Sequence, residues 1–352
     1  MNYKRHKKTA FTLIELMVAM GILVVIMSFA GIIFRVSINS HRTAIANAEI
    51  MQKLRAITGQ LDADLKGLNK DGEIFVVWKA AQLQGADYKD NDLDGYERFD
   101  RIMFFAEGDF QSYGINPKVR GNTARICYML ARNNSHRPEG QDRAERVLAR
   151  TQHILTSDES LNDFPDPGSF TNAQWLEWNN RNEYDRTSLE EWKKIPWADK
   201  KNMLSVINDV KVADSNVIED VRGAIVEPSD ANSIHMLLCE GVGEFKIQGW
   251  SDSRRRWLPE VDPDGDGNLS DSHFYVNNPD PNVVPGVIYP YPPNGGVSIN
   301  NISYQRTDGI DKMHFNDIPG LGRALKFTFT LFDSKGIIKN GMTFTHIVYL
   351  DE

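Results

Sequence analysis

The sequence predicts an α+β fold, one long N-terminal helix followed by antiparallel strands, and three observations carry that prediction. Leu16 to Phe34 is an uninterrupted run of 19 uncharged, mostly apolar residues. From Ile45 to Leu68 apolar residues return mostly at every third or fourth position. Past Asp71 the pattern changes to short apolar runs bounded by Gly, Pro, Asn and Asp, the signature of strands and turns.

At about 1.5 Å of rise per residue the uncharged run makes a helix of about 28 Å, close to the hydrocarbon thickness of a bilayer. It lies within Ala10–Phe34, with a basic leader, MNYKRHKK, before it and one carboxylate, Glu15, just inside it. A secretory signal carries its small-residue cleavage site after the apolar run. Here the chain passes from Phe34 directly into a polar helix, so the span reads as retained. The stripe Ile45, Ile50, Leu54, Ile57, Leu61, Leu65 and Leu68 gives that continuation one apolar face, and Gly67, Asn69 and Gly72 punctuate its end.

Strands are expected over 74–78, 101–106, 124–131, 233–239 and 243–250. The clearest is Leu325–Leu331, where Leu325, Phe327, Phe329 and Leu331 alternate with Lys326, Thr328 and Thr330. Thr343–Leu350 should return beside it, across the turn residues Asp333-Ser334-Lys335-Gly336 and Asn340-Gly341. Two stretches stand apart. Residues 155–230 hold Trp175, Trp178, Trp192 and Trp197 and a capping-box spacing from Thr187 to Glu190. Residues 259–318, rich in Pro, Asn, Asp and Gly, read as long loops. The Trp cluster suits either packing of an insertion onto the sheet or a partner-binding surface. The domains are then a leader over 1–10, a membrane helix over 11–34, its amphipathic continuation over 35–68, and a β-rich domain over 69–352 with insertions at about 155–230 and 259–318.

The 352 residues carry a formal net charge of −8, and loss of the four leader cations Lys4, Arg5, Lys7 and Lys8 takes it to −12. That balance argues against general nucleic-acid binding, which needs a basic footprint. A basic leader stays on the cytoplasmic side, so the bulk of the chain is expected in the periplasm or outside the cell, tethered to the inner membrane by one span. The two cysteines, Cys127 and Cys239, allow either one disulfide or two buried thiols.

The order basic leader, small residue, Phe11-Thr12-Leu13-Ile14-Glu15 and apolar helix resembles the N-terminus of type IV prepilins and of the pseudopilins of type II secretion. The resemblance implies that a prepilin peptidase cuts between Ala10 and Phe11, that Phe11 becomes an N-methylated terminus, and that Glu15 serves assembly. It also implies the pilin plan, in which the second half of the helix packs on an antiparallel sheet. The chain departs from the family in carrying Ala10 where Gly is usual. An ionised acid deep in a membrane costs roughly 2.5–3.5 kcal/mol, so Glu15 calls for a partner or for a place at the interface. The cut converts a neutral amide into an amine that is cationic at neutral pH and can pair with Glu15 of its own or a neighbouring subunit.

A closer resemblance is to the J-type minor pseudopilins, carried by Gln60-Leu61-Asp62-Ala63-Asp64-Leu65, by Arg125-Ile126-Cys127-Tyr128 with Val147–Arg150, and by Phe245–Trp250, Trp257, Pro319 and Ala324–Leu331. It implies a place near the tip of a short periplasmic pseudopilus, with I-type and K-type minor pseudopilins and the major pseudopilin as partners. Two other classes remain: a minor pilin of a type IV pilus acting in assembly, adhesion or DNA uptake, and a tethered binding protein that never polymerises.

Two loops alternate carboxylates and end in Gly: Asp90, Asp92 and Asp94 before Gly95, and Asp262, Asp264 and Asp266 before Gly267, with Ser270 beyond. Such spacing can aim three oxygens at a Ca²⁺ ion, and it also suits a plain turn. The twelfth positions hold Arg101 and His273 instead of a bidentate Glu, so Glu97 or Asp100 in the first loop and Ser270 or Asp271 in the second would have to complete a site. Asp62 and Asp64 read as solvating their helix face and His346 as structural. The chain has no HExxH, Gly-x-Ser-x-Gly or P-loop, and a non-enzymatic role is expected.

Overall fold

The computed structural model describes residues 12–69, 74–82, 96–113, 118–131, 142–162, 174, 178, 182–195, 210–211, 218–219, 226, 233–251, 255–258, 272–277, 288–290 and 324–350. It has the expected α+β plan, a long N-terminal helix with antiparallel sheets. Helix α1 spans Leu13–Lys66, 54 residues without a break. Its inward face is Ala46, Ile50, Ile57, Leu61 and Leu65, with Leu54 and Leu68 partly buried against the same core. Ile45, counted in the apolar stripe, is instead exposed. Ala46 takes the inward place four residues before Ile50, one helical step round from Ile45.

The strands are β1 (Ile74–Gln82), β2 (Tyr96–Arg98), β3 (Arg101–Gln111), β4 (Arg120–Ala131), β5 (Val147–Leu155), β6 (Tyr184–Asp185), β7 (Val210–Lys211), β8 (Ile218–Glu219), β9 (Leu237–Glu240), β10 (Val242–Ser251), β11 (Arg256–Leu258), β12 (Ser272–Asn277), β13 (Ile288–Pro290), β14 (Ala324–Leu331) and β15 (Met342–Tyr349), with a short helix α2 over Leu189–Lys194. Among the described residues nine strands make one sheet in the order β13-β12-β1-β3-β4-β5-β6, with β2 beside β1 and β9 beside the start of β5. All its pairings are antiparallel except the short parallel β5–β6 step. A second sheet runs β11-β10-β14-β15, and β7 with β8 forms a two-stranded ribbon. The last two strands pair in unbroken register from Ala324–Tyr349 to Leu331–Met342, as their alternation predicts.

One core joins all three layers. Ile50, Ile57, Leu61 and Leu65 of α1 meet Ile102, Phe104, Ile126 and Tyr128 of the large sheet and Phe245, Ile247, Phe327 and Phe329 of the small one. The two sheets are sewn together where Phe99 bridges to Phe245 and the Asp100 amide donates to the Phe245 carbonyl at 2.9 Å. β3 and β4 are buried on both faces over most of their length, which explains why their sequences show continuous rather than alternating apolar character.

Three expectations are corrected. Residues 233–236 form a turn with a 3₁₀ segment over Ile234–Met236, closed by the Met236 amide on the Ser233 carbonyl, and the strand begins only at Leu237. Within the stretch read as long loops, Ser272–Asn277 and Ile288–Pro290 are strands, drawn in because β12 completes the edge of β1. The helix start in the insertion is Ser188 with Glu191, not Thr187 with Glu190. Ser188 Oγ accepts the Glu191 amide at 3.2 Å and Glu191 returns its carboxylate to the Ser188 amide at 2.8 Å.

Helix α1 ends by meeting β3 backbone to backbone. The Glu107 amide donates to the Gly67 carbonyl at 2.6 Å, the Asn69 amide to the Phe105 carbonyl at 2.8 Å, and Leu68 bridges Ala106. Gly67 has an ordinary negative φ, so its requirement is space: a methyl group there would run into the Glu107 carbonyl oxygen. Gly67→Ala should therefore cost about 1–3 kcal/mol, measured as a lower urea midpoint with an unchanged slope in the detergent-solubilised chain.

Candidate functional site

The N-terminus of α1 is built as a capping box. Thr12 Oγ1 accepts the Glu15 amide at 3.3 Å, while Glu15 Oε2 accepts both the Thr12 amide and the Thr12 hydroxyl at 2.9 Å. The carboxylate is thereby folded back over the first turn, where free backbone N–H groups favour negative charge. Ala10 and Phe11 themselves lie outside the described residues.

Between Leu13 and Ile45 the described side chains are exposed, Ala30 being half-buried, and large apolar groups such as Leu13, Ile33 and Phe34 are 66–76% accessible. By length and composition α1 can cross a membrane. Bare apolar surface of this extent is unfavourable in water at about 25 cal/mol per Å², so lipid or other helices must cover it.

The other half of α1 is clamped to the sheets by polar contacts. Asp64 is buried, in contrast to the solvating role expected of it. Its carboxylate takes Arg150 Nε at 2.6 Å and Nη2 at 2.8 Å, the Tyr128 hydroxyl, and Gln60 Nε2 at 3.1 Å. Burial and the neighbouring Asp64 charge push the Tyr128 phenol well above its ordinary range, so it stays a donor. Asp62, two residues before, is half-exposed and accepts a hydrogen bond from His346 Nε2 at 2.7 Å, tying α1 to β15. Lower on the helix Lys53 donates to the Phe332 carbonyl at 2.7 Å, and Glu49 takes the Ser334 amide at 2.8 Å. Asp64, Tyr128 and Arg150 belong to the segments that carry the J-type resemblance, and the fold brings them to one point.

A second buried network lies where the sheets meet. Arg98 grips Asp100 with two bonds of 2.9 and 2.7 Å, and Asp100 also accepts the Ile247 amide at 2.8 Å. Glu97 takes Arg146 at 2.5 Å and Arg143 at 2.6 Å, and Arg146 also reaches the Gly243 carbonyl. Glu97 and Asp100 are thus each held by arginines. The loop residues Asp90, Asp92, Asp94, Asp262, Asp264, Asp266, Ser270 and Asp271 lie outside the described residues, as do Pro319, Trp175 and Trp197.

The outer face of the large sheet is covered by the insertion. Trp192 is fully buried edge-on against Phe105 at 5.6 Å, under the Arg125 guanidinium at 5.3 Å. Arg125 Nη2 donates to Asp185 Oδ2 at 3.1 Å, His153 Nδ1 lies 3.0 Å from the same nitrogen, and Trp178 Nε1 donates to Asp185 Oδ1 at 3.1 Å. Burial would raise the Asp185 carboxyl, but Arg125 and His153 outweigh it and hold it far below the usual carboxylate range. Trp192 and Trp178 thus pack the insertion onto the sheet. Cys127 and Cys239 are free, buried thiols. Cys127 is out of phase with Ile126 and Tyr128 and so faces the insertion, whereas Cys239 belongs to the core on the helix side. The sheet stands between them, so of the two alternatives the structure has two buried thiols. Burial pushes the two thiols up to about 12 and about 11.

Residues 5–31 match the prokaryotic N-terminal methylation motif. No curated protein and no solved structure matches the chain. The chain therefore carries a type IV prepilin-like signal on a pilin-like arrangement of helix and sheets. The motif implies processing by a prepilin peptidase and assembly with other pilin-like proteins.

Two outcomes follow from the buried charges. Arg150→Met leaves the Asp64 carboxylate without its cation and should destabilise the fold by about 3–5 kcal/mol, while the pair Asp64→Leu/Arg150→Met should recover most of that loss in urea unfolding. The depressed Asp185 carboxyl contributes stability that is complete above the ordinary aspartate value of about 4 and lost as pH falls toward its folded value. The stability advantage of the parent over Asp185→Asn should accordingly be constant from about pH 5 upward and shrink below about pH 4.

Proposed function

We propose that the chain is a minor pseudopilin of a type II secretion system, a structural subunit rather than an enzyme, that joins a periplasmic filament through α1. The observation that carries this reading is the bare apolar half of α1, headed by a carboxylate inside the methylation motif. Cleavage between Ala10 and Phe11 would free a cation beside Glu15, and the pair, within one subunit or between two, would make the cut the signal for assembly. Neutralising the charge in place also removes the cost of holding a lone carboxylate in hydrocarbon.

A J-type role near the filament tip, beside I-type and K-type partners, is supported by the convergence of Asp64, Tyr128 and Arg150. These residues come from three of the segments on which the likeness rests and meet where α1 joins the sheet. The clamp would let the sheet domain move as one body with the helix when subunits stack.

Intact-mass measurement on membrane-extracted protein tests the first step: the expected species lacks residues 1–10 and carries one added methyl group on Phe11. Glu15→Ala should still insert into the membrane but be largely lost from the sheared filament fraction. A leader still attached, or normal incorporation of Glu15→Ala, overturns the proposal.

A further inference from the structure

A cleft of about 620 Å³ opens at the end of the sheet domain that lies level with the C-terminus of α1. Its position follows from the ladders. Leu68 bridges Ala106, Ala106 pairs with Ala124, and one step on Thr123 pairs with Leu155 on the cleft floor. Residues 156–159 and 186–191 form its two walls. Among the described residues this end of the sheets lies beside the C-terminus of α1, away from its apolar N-terminal run.

The volume lies within the roughly 300–1,000 Å³ of small-ligand sites, but the lining is unlike an ordinary apolar pocket. Hydroxyls and an amide dominate it, and the Asn122, Thr123, Ser157 and Glu159 side chains make no hydrogen bond among the described residues. Arg186 supplies one cation against two carboxylates, Glu159 and Glu191, the latter already committed to the Ser188 cap. Among the described lining residues there is no surplus of positive charge to favour a phosphate or a nucleic acid. Leu155 and Leu189 add small apolar surfaces beside the polar ones.

We propose that this cleft binds a short neutral glycan. Sugar hydroxyls both donate and accept, and they need what the lining offers: an amide and hydroxyls that do the same, with a carboxylate fixing orientation through charge-assisted bonds. The ring's C–H face meets the leucine surfaces. The inference rests on the filament reading only for where the cleft is displayed, since the cleft is formed within one chain.

Binding is tested on the detergent-solubilised full-length chain, before any assembly, by titration with soluble cello-, malto-, chito- and galacto-tetraose. At least one should bind saturably. Asn122→Ala and Glu159→Gln, both at exposed positions, should each weaken it roughly tenfold with melting temperature unchanged. Absence of binding to all four sugars, or binding that both variants leave intact, overturns the proposal. So does capture of unstructured peptides in preference to sugars. None of these results bears on filament entry, which the mass and Glu15→Ala experiments read separately.

Discussion

An apolar helix surface left bare by its own chain has to be covered from outside, and this constraint organises the molecule. Leu16–Phe34 of α1 offers lipid or like helices an uncharged apolar cylinder, while the second half of the helix helps form the core with the sheets. The same helix thus has two surroundings: its apolar run ends at Phe34, an exposed polar stretch with Arg35, His41 and Arg42 follows, and burial against the sheets begins at Ala46. Nothing in the backbone marks the change, since α1 continues through it without a break. Only the side chains differ.

Where α1 meets the sheets, polar contacts add what apolar packing lacks, which is register. Leucine and isoleucine faces tolerate sliding, whereas Asp64 between Arg150 and Tyr128 fits one position only. The seam of Glu97, Arg98, Asp100 and Arg146 fixes the two sheets to each other in the same way, and Asp185 with Arg125 fixes the insertion to the outer face. Each junction between layers therefore holds a buried ion pair set in an apolar surround.

The helix, its apolar first stretch and the final hairpin were legible because each rests on a local pattern: an unbroken apolar run in Leu16 to Phe34, a period of 3.6 residues in Ile50 to Leu65, and of two in Leu325 to Leu331. The ion pairs were not, because the partners of Asp64 lie 64 and 86 residues away and a carboxylate on a helix reads as solvated until its neighbours are known. The one available signal was that Asp64 falls in the apolar stripe, between Leu61 and Leu65. β12 was missed because a six-residue strand in a Pro- and Asp-rich surround has too little pattern of its own and is defined by pairing with β1. The cysteine pairing was equally beyond sequence, since it depends on which face of β4 Cys127 takes. Within the methylation motif Glu15 stood out as a lone acid at the edge of a long apolar run, and its turn back to Thr12 follows from the spacing of a capping box.

The contact between Lys53 and the Phe332 carbonyl joins residues 279 positions apart, and it closes the core over the apolar stripe of α1. During synthesis the stripe emerges early and its cover last. At about 5–20 residues per second the interval is roughly 15–60 s. Through that time the nascent domain holds an adhesive helix face outside the membrane with its matching strands still unmade, a demand for a holding chaperone that a chain of reversed strand order would escape.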